Sequence, residues 1–265
     1  MKKKRIVIIG PFPPFKGGIA QYNNFMAREF TKRADLFLVH SKSEKQKLGN
    51  ILVAKDSGVS SSILTHLLPL CEPSDNKDSN DKQPDLTQKY SLNLLFFGFV
   101  RDYKGLDLLL EALEILKNKN ISLTIVGEFW NEKKHYLDFI DLHNIPNVSI
   151  VDQYVPDSEV APYFYHCDVV VLPYKHATGS GIIPMAYGYK KPVLVTNVGG
   201  LPDAVLHEKT GYIIEANKEA IAIGIEWFIN NRNKDNYKKE ISHFVKDKMS
   251  WSGLCDLIDE GLTKL

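Results

Sequence analysis

The sequence predicts an α/β protein built on a doubly wound parallel sheet, preceded by a small α/β segment. From Leu94 onwards, short apolar runs alternate with longer stretches of helical periodicity, as in the run 122–126 followed by the helical pattern at 131–143. This alternation is typical of a parallel sheet with helices on both faces. The run Val169–Leu172 is apolar at every position, which indicates a strand buried on both sides.

The individual elements follow from the same patterns. Each strand is a short run rich in valine, isoleucine and leucine, whereas each helix has apolar residues three or four positions apart. Pro184 falls in the first turn of a helix that begins at Ile182, where its missing amide hydrogen costs little. The predicted strands are 94–97, 122–126, 148–151, 169–172, 193–196 and 212–214. The predicted helices are 106–116, 131–143, 158–165, one from Ile182, 218–230, 235–248 and 251–264.

The N-terminal residues 1–71 predict only a small α/β unit. A strand at 6–9 leads into a proline- and glycine-rich loop that contains Gly17 and Gly18, and a second strand at 34–41 precedes a helix at 43–51. So few elements bury little apolar surface. We therefore expect this unit to dock on the larger domain or to be loosely held.

Residues 72–90 divide the chain. They are polar and charged, with few apolar side chains, and such composition does not offset the entropy of ordering. We therefore expect an abbreviated N-terminal segment at 1–71, a linker at 72–90 and a larger domain at 91–265.

Composition restricts the function classes. The 265 residues are 44% hydrophobic and 25% charged, as in a soluble globular protein, and the net charge of +1 gives no reason to expect a nucleic-acid partner. Cys71, Cys167 and Cys255 lack the spacing of metal ligands and indicate reduced thiols in the cytoplasm. Apolar stretches fall short of the roughly 20 residues that cross a bilayer, and the first strand is too short for a signal peptide.

A small-residue loop between strand 169–172 and the following helix is a candidate anion site. A strand, a glycine loop and a helix start together present free amides to a phosphate. The main-chain amides at 180–182 are the candidate donors. A tight turn without a ligand is the alternative interpretation. The candidate binding residues of this loop are Thr178, Gly179, Ser180, Gly181 and Ile182.

Three further loops support a ligand site. The segment 98–105 carries the cations Arg101 and Lys104 between a strand and a helix, Gly127 and Glu128 follow the next strand, and Gly199–Asp203 follow a later one. All of them stand at carboxyl ends of predicted strands. Open parallel sheets bind their ligands at this edge.

Several segments in this order resemble a known family. They are FFGFVRDYKGLDLLLEAL, LTIVGE, DVVVLPY, SGIIPMAYGYKKPVLVTNVGGLPDAV and HEKTGYII. Together they resemble the donor-binding half of the retaining glycosyltransferases of family four, which have the two-domain, Rossmann-like GT-B fold. Each motif alone is weak, but their order is specific. The resemblance covers about Leu94 to the C-terminus, with fragments near the N-terminus.

The resemblance implies roles for the cations. Lys104 matches the diphosphate-binding lysine of the family. The arginine that normally stands five residues earlier is replaced by Phe99, and Arg101 lies nearby in the sequence. Lys104 and Arg101 are therefore the candidate catalytic residues, since preorganised cations stabilise the charge that accumulates on a leaving diphosphate.

The resemblance also implies further donor contacts. Gly17 and Gly18 match the family's N-terminal glycine loop near the donor phosphates. The backbone near Tyr154 and Val155 corresponds to the segment that brackets the base, and Glu128 is a remaining carboxylate of the cleft.

The chain also departs from the family pattern. Family members carry two glutamates separated by seven residues, but the aligned positions here are Ala177 and Met185. A methionine cannot accept hydrogen bonds from ribose hydroxyls. Several N-terminal strand–helix units that contact the acceptor are also missing, and His40 stands in a different motif from the family's histidine.

The resemblance implies a hexosyltransferase-type glycosyltransferase that acts with retention. The implied donor is a UDP- or GDP-linked sugar, no cofactor or metal is implied, and the acceptor is a glycan or a lipid-linked molecule, which leaves peripheral membrane contact open. The alternative is a catalytically inactive nucleotide-binding or assembly module that has lost most of the acceptor domain. A third class is another doubly wound protein such as a sugar-nucleotide epimerase. The histidine and carboxylate pairs of that class have no counterpart at the motif positions of this chain.

Overall fold

A computed structural model describes residues 6–8, 36–40, 42, 45–46, 48, 50, 62–70, 90–130, 132–231 and 234–263. Its N-terminal part contains a parallel sheet of β1 (Ile6–Ile8), β2 (Leu36–Val39) and β3 (Ser62–Thr65), in that order. The predictions of the first two strands are confirmed. β3 was not predicted, because its few apolar residues stand between serines and threonines. Gly17 and Gly18, and positions 72–89 of the predicted linker, lie outside the described residues.

The larger part is a sheet of six parallel strands, which confirms the predicted fold class. The strands are β4 (Leu92–Phe97), β5 (Ile121–Val126), β6 (Val148–Val151), β7 (Val169–Leu172), β8 (Val193–Thr196) and β9 (Gly211–Ile214). Their order across the sheet is β6-β5-β4-β7-β8-β9. Every residue of β7 and β8 is buried, as expected of central strands with helices on both faces.

Seven α-helices connect and follow these strands within the described residues. They are α1 (Leu106–Ile115), α2 (Lys133–His143), α3 (Ala161–His166), α4 (Ile182–Gly188), α5 (Lys218–Asn230), α6 (Lys234–Lys248) and α7 (Trp251–Thr263). Gly224 of α5 packs so closely on β8 that an added Cβ would stand 2.6 Å from Leu194 Cδ1. The predicted helix at 158–165 is instead split into a 3-10 turn, Asp157–Glu159, and α3, with Pro162 in its first turn.

The strand order creates a topological switch point between β4 and β7. From β4 the chain proceeds outward to β5 and β6, returns to β7 on the other side, and proceeds outward again to β8 and β9. The helices after β4 and β7 therefore diverge to opposite faces and leave a crevice at the carboxyl ends of these strands. Ligands of open α/β sheets bind in this crevice.

The N-terminal strands contact the larger part at two places. The amide of Lys42 donates to Asp203 Oδ2 (2.9 Å), in the loop after β8. At the other place, the Leu70 amide donates to the Met249 carbonyl (2.9 Å), and Trp251 Nε1 donates to the Leu70 carbonyl (3.2 Å). Helix α7 also packs on β3, so the described N-terminal residues are docked, as one of the two expectations had it.

Gly105 lies at the point where the β4–α1 connection meets the end of β7. Its φ of +69° is left-handed, and an added Cβ would stand 2.0 Å from the Pro173 carbonyl oxygen. We predict that Gly105→Ala lowers the free energy of unfolding by at least about 2 kcal/mol, because both the backbone conformation and the space exclude a side chain. Urea unfolding measures this change.

Gly179→Ala is the matched control for this prediction. An alanine Cβ at position 179 meets nothing within 4 Å, so the free energy of unfolding should stay within about 0.5 kcal/mol of the wild-type value. Equal stability of the two variants would show that the Gly105 contact does not hold the switch point together.

Candidate active site

Lys104 lies at the switch point, in the 3-10 turn Asp102–Lys104 that precedes α1. The residue is only 8% exposed. A Cβ built on Gly98 would stand 2.9 Å from Lys104 Nζ and 3.6 Å from Ile182 Cδ1, so the ammonium group and the side chain of the first residue of α4 both lie close to Gly98. The structure thus brings the cation of the β4 loop to the same edge as the small-residue loop after β7.

The charge of Lys104 is not balanced by protein. Among the residues that the structure describes, no carboxylate pairs with its ammonium group and no hydrogen bond satisfies it; Nζ stands 5.6 Å from the centroid of the Tyr174 ring. Burial lowers the pKa of Lys104, with a further contribution from the nearby Arg101 charge, to about 8. The site therefore holds a desolvated cation that a bound anion would stabilise.

In the described part of the chain, Lys175, unlike Lys104, is paired with a carboxylate. Lys175 follows β7 and donates to Asp107 Oδ2 at 2.6 Å. Asp107 belongs to the first turn of α1 and is three residues after Lys104 in the sequence. Asp107, the acidic residue of α1 that is nearest to Lys104 in the sequence, thus forms its ion pair with Lys175.

Arg101 is placed on an aromatic ring instead of beside a carboxylate. Its guanidinium carbon stands 3.9 Å from the ring centroid of Trp130, which follows β5, and 6.0 Å from that of Phe99. Its Nε is buried without a hydrogen-bond partner in the described part of the chain. Stacking holds the guanidinium in one orientation, and its charge acts on Lys104.

The loop after β7 is organised by Tyr174 and Ser180. The two hydroxyl oxygens are 3.3 Å apart, and the Ile182 amide donates to Ser180 Oγ at 3.2 Å. Of the three amides predicted as anion donors, that of Ile182 is therefore already used within the loop, which corrects its assignment as a free donor. The Ser180 and Gly181 amides have no hydrogen-bond acceptor among the described residues.

Two glycines of this loop have space beside them. Among the described residues, no atom lies within 4 Å of a Cβ added at Gly179 or Gly181. Thr178, the remaining predicted loop residue, is half-buried. The described part of the chain therefore leaves room beside both glycines of the loop.

The other predicted residues divide between surface and core. Glu128 is exposed, and its carbonyl accepts the Val100 amide at 2.9 Å. Tyr154 is 64% exposed, whereas Val155 is buried. Ala177 is buried and Met185 packs against the core, as expected of apolar side chains at the family's two glutamate positions.

Two residues of the site were not predicted from the sequence, Tyr174 and Trp130. Tyr174 is two residues beyond the end of β7, and Trp130 is four residues beyond the end of β5. A large aromatic residue just past a strand's carboxyl end is a usable signal, because this edge of an open parallel sheet faces the ligand.

Neither a metal-binding cluster nor a membrane-spanning helix occurs in the described part of the chain. No group of three or more His, Cys, Asp or Glu side chains there is arranged to hold a metal ion. None of the helices in that part combines the length and the apolar character needed to cross a membrane.

We predict that Lys104→Met stabilises the unliganded protein at pH 7. Methionine keeps much of the side-chain length and removes the buried charge, so the gain should approach the cost implied by the lowered pKa, about 3 kcal/mol. Urea unfolding measures it. The gain should be complete below pH 8 and shrink between pH 8 and 10.5, because the folded protein then releases the lysine proton before the unfolded chain does.

Lys175→Met is the control for this prediction. It removes a cation that is paired with Asp107, so it should not stabilise the protein. A Lys104→Met variant that is no more stable than the wild type at pH 7 would contradict the view that the lysine charge is buried at a cost.

Comparison with known proteins relates this site to a family. The family model described as "Glycosyl transferases group 1" matches residues 76–243. The capsular polysaccharide biosynthesis glycosyltransferase CapM of Staphylococcus aureus is 28% identical over 186 residues, which cover 64% of this chain and 48% of CapM. A GDP-mannose:glycolipid 4-beta-D-mannosyltransferase of Xanthomonas campestris is 33% identical over 101 residues, 38% of this chain and 29% of that protein.

Solved structures share the fold at low sequence identity. The Anabaena protein HepE, in complex with UDP, has a TM-score of 0.75 at 16% identity and covers 99% of this chain and 73% of its own. Sucrose-phosphate synthase of Thermosynechococcus elongatus has a TM-score of 0.67 at 17% identity, with 93% and 62% coverage. The alignments span less than half the length of the two curated relatives named above. Because the family model matches well over half of the sequence, this chain belongs to the glycosyl transferases group 1 family, in the GT-B superfamily.

Proposed function

We propose that this chain binds a nucleotide diphosphate sugar and transfers the sugar to an acceptor hydroxyl with retention, as a hexosyltransferase of glycosyltransferase family four. Residues 91–265 form the donor-binding domain in this proposal, and residues 1–71 are an abbreviated partner domain joined through 72–90. The free thiols of Cys167 and Cys255 suit a cytoplasmic location.

One observation carries the proposal, the uncompensated ammonium group of Lys104 at the switch point. A buried cation without a counter-ion is unfavourable by itself. A diphosphate bound between Lys104 and the 178–181 loop would provide the missing negative charge and accept hydrogen bonds from the loop amides. Lys104 Nζ and the Ile182 side chain, at the start of α4, both lie close to Gly98, which places the cation and the loop on the same edge of the sheet and supports a shared pyrophosphate site.

The chemical role of these groups follows from where charge develops. As the bond between the sugar and the diphosphate breaks, negative charge accumulates on the leaving phosphate oxygens. Lys104 stabilises this charge, Arg101 adds a second positive charge held against Trp130, and the Ser180 and Gly181 amides contribute dipoles. Groups that are fixed before reaction stabilise a transition state without a reorganisation cost. Two cations take the place that a divalent metal has in other enzymes, so we propose that no metal is required.

The remaining predicted residues have subsidiary places in this proposal. The backbone at Tyr154 and Val155 brackets the base, Glu128 lies at the rim of the cleft, and Gly17 and Gly18 approach the phosphates from the N-terminal unit. HepE was solved with UDP, and the Xanthomonas relative is named for GDP-mannose. We therefore propose a UDP- or GDP-linked sugar as the donor, and a glycan or a lipid-linked molecule as the acceptor.

We predict that the protein binds UDP or GDP without added metal and that Lys104→Met weakens this binding about 10- to 150-fold, the range for a hydrogen bond to a charged group. Isothermal titration calorimetry at pH 7 in the presence of EDTA measures both affinities. The same substitution should stabilise the free protein, so loss of binding cannot be attributed to unfolding.

Lys119→Met is the matched control for binding. Lys119 precedes β5, at the amino ends of the strands and away from the candidate site, and pairs with Glu226 at the surface (3.5 Å). Its removal should leave the affinity unchanged. Absence of UDP and GDP binding by the wild type at millimolar concentrations would overturn the proposed function.

A transfer assay distinguishes an enzyme from an inactive nucleotide-binding module. The substitution of the family's two glutamates by Ala177 and Met185 is the feature that raises this alternative. We expect the chain to release UDP or GDP from UDP-glucose, UDP-N-acetylglucosamine or GDP-mannose, and the anomeric proton signal of the product in NMR should show retention. Binding without any turnover would instead establish the inactive module.

A further inference from the structure

Tyr174 connects the two halves of the candidate site. Its ring faces Lys104 Nζ at 5.6 Å, and its hydroxyl group lies 3.3 Å from Ser180 Oγ. The side chain is held firmly: the ring is buried and meets Tyr103 edge-on with centroids 6.0 Å apart. The Thr196 hydroxyl donates to the Tyr174 carbonyl at 2.6 Å. Tyr174 thus connects the end of β7 with the Ser180 hydroxyl group, which can rotate.

The hydrogen bonds of Ser180 can be assigned by their chemistry. A serine hydroxyl has one proton and two acceptor positions. The Ile182 amide can only donate, so it uses one acceptor position of Ser180 Oγ. A phenol is the stronger donor of the two hydroxyls, and burial raises the pKa of Tyr174, so the phenol stays protonated. When Tyr174 donates, both acceptor positions of Ser180 are used.

The serine proton then has no place within the loop. Among the described residues, no atom lies within 4 Å of a Cβ added at Gly179 or at Gly181, the two neighbours of Ser180. A diphosphate bound between the loop and Lys104, as in the proposed function, would accept that proton in a hydrogen bond. Without the tyrosine hydroxyl, the serine hydroxyl could rotate and its proton would no longer be directed.

We propose that Tyr174 is a positioning residue that directs the Ser180 hydroxyl proton toward a bound diphosphate. The inference rests on the proposed function, because it assigns a further donor to the same diphosphate site. It adds a side-chain donor to the main-chain amides, and it makes the tyrosine act on the ligand only through Ser180.

The test is a double-mutant cycle with Tyr174→Phe and Ser180→Ala, with affinities for UDP and for inorganic pyrophosphate measured by calorimetry at pH 7. Tyr174→Phe should weaken both about 3- to 10-fold, the range for a neutral hydrogen bond, and Ser180→Ala at least as much. In the Ser180→Ala background, Tyr174→Phe should have no further effect. In the Ser180→Thr background, which keeps the hydroxyl group, its effect should return.

Tyr187→Phe is the matched control. Tyr187 is also fully buried, and its hydroxyl group bonds to the Ala204 carbonyl (3.0 Å) and to Thr210 Oγ1 (2.8 Å). Its loss should lower stability without a Ser180-dependent change in affinity.

The possible outcomes separate the two proposals. If the wild type binds UDP or pyrophosphate but Tyr174→Phe has no effect, or has the same effect in the Ser180→Ala background, the positioning role is overturned and the proposed function stands. If the wild type binds none of UDP, GDP and pyrophosphate, both proposals fail.

Discussion

The candidate site depends on a single electrostatic constraint, the burial of the Lys104 charge without a carboxylate partner in the described structure. Burial and the charge of Arg101 together lower its pKa to about 8, which means that the folded protein holds this cation at a cost in stability. Proteins commonly hold such unfavourable groups at sites where a ligand compensates them. The switch point between β4 and β7 is the place where this fold offers room for that ligand.

The surroundings of Lys104 hold its charge in a buried position. The Tyr174 ring covers it on the β7 side, Gly98 allows its ammonium group to approach the end of β4, and Asp107 is held by Lys175. A side chain larger than glycine at position 98 would displace the ammonium group, since its Cβ would stand 2.9 Å from Nζ. Local packing and the site are therefore parts of one arrangement.

Most of the fold could be predicted from the sequence, because the strands of the larger sheet are short, predominantly apolar runs between helices of clear periodicity. β3 escaped prediction since a four-residue strand with polar ends has little pattern to detect. The division of the predicted 158–165 helix was also missed. Pro162 suits the first turn of a helix, and α3 accordingly begins at Ala161.

The site was predictable only in part. The positions of Lys104 and the 178–181 loop followed from their places after strands, but the burial of the lysine did not, because a lysine beside a helix start is normally exposed. The amide of Ile182 was misassigned because its bond to Ser180 depends on the loop conformation. The contacts of Tyr174 and Trp130 join residues from separate crossovers, and local periodicity carries no information about such pairs.

The most direct test of the central claim is the ionisation of Lys104 itself, followed through its side-chain Cε and Nζ chemical shifts by NMR as the pH is raised. Assignment comes from the Lys104→Met spectrum. The structure predicts a pKa of about 8 in the free protein and a higher pKa when UDP or GDP is bound, because a diphosphate stabilises the charged form. A pKa near 10.5 in the free protein, or one that does not change at saturating nucleotide, would contradict it.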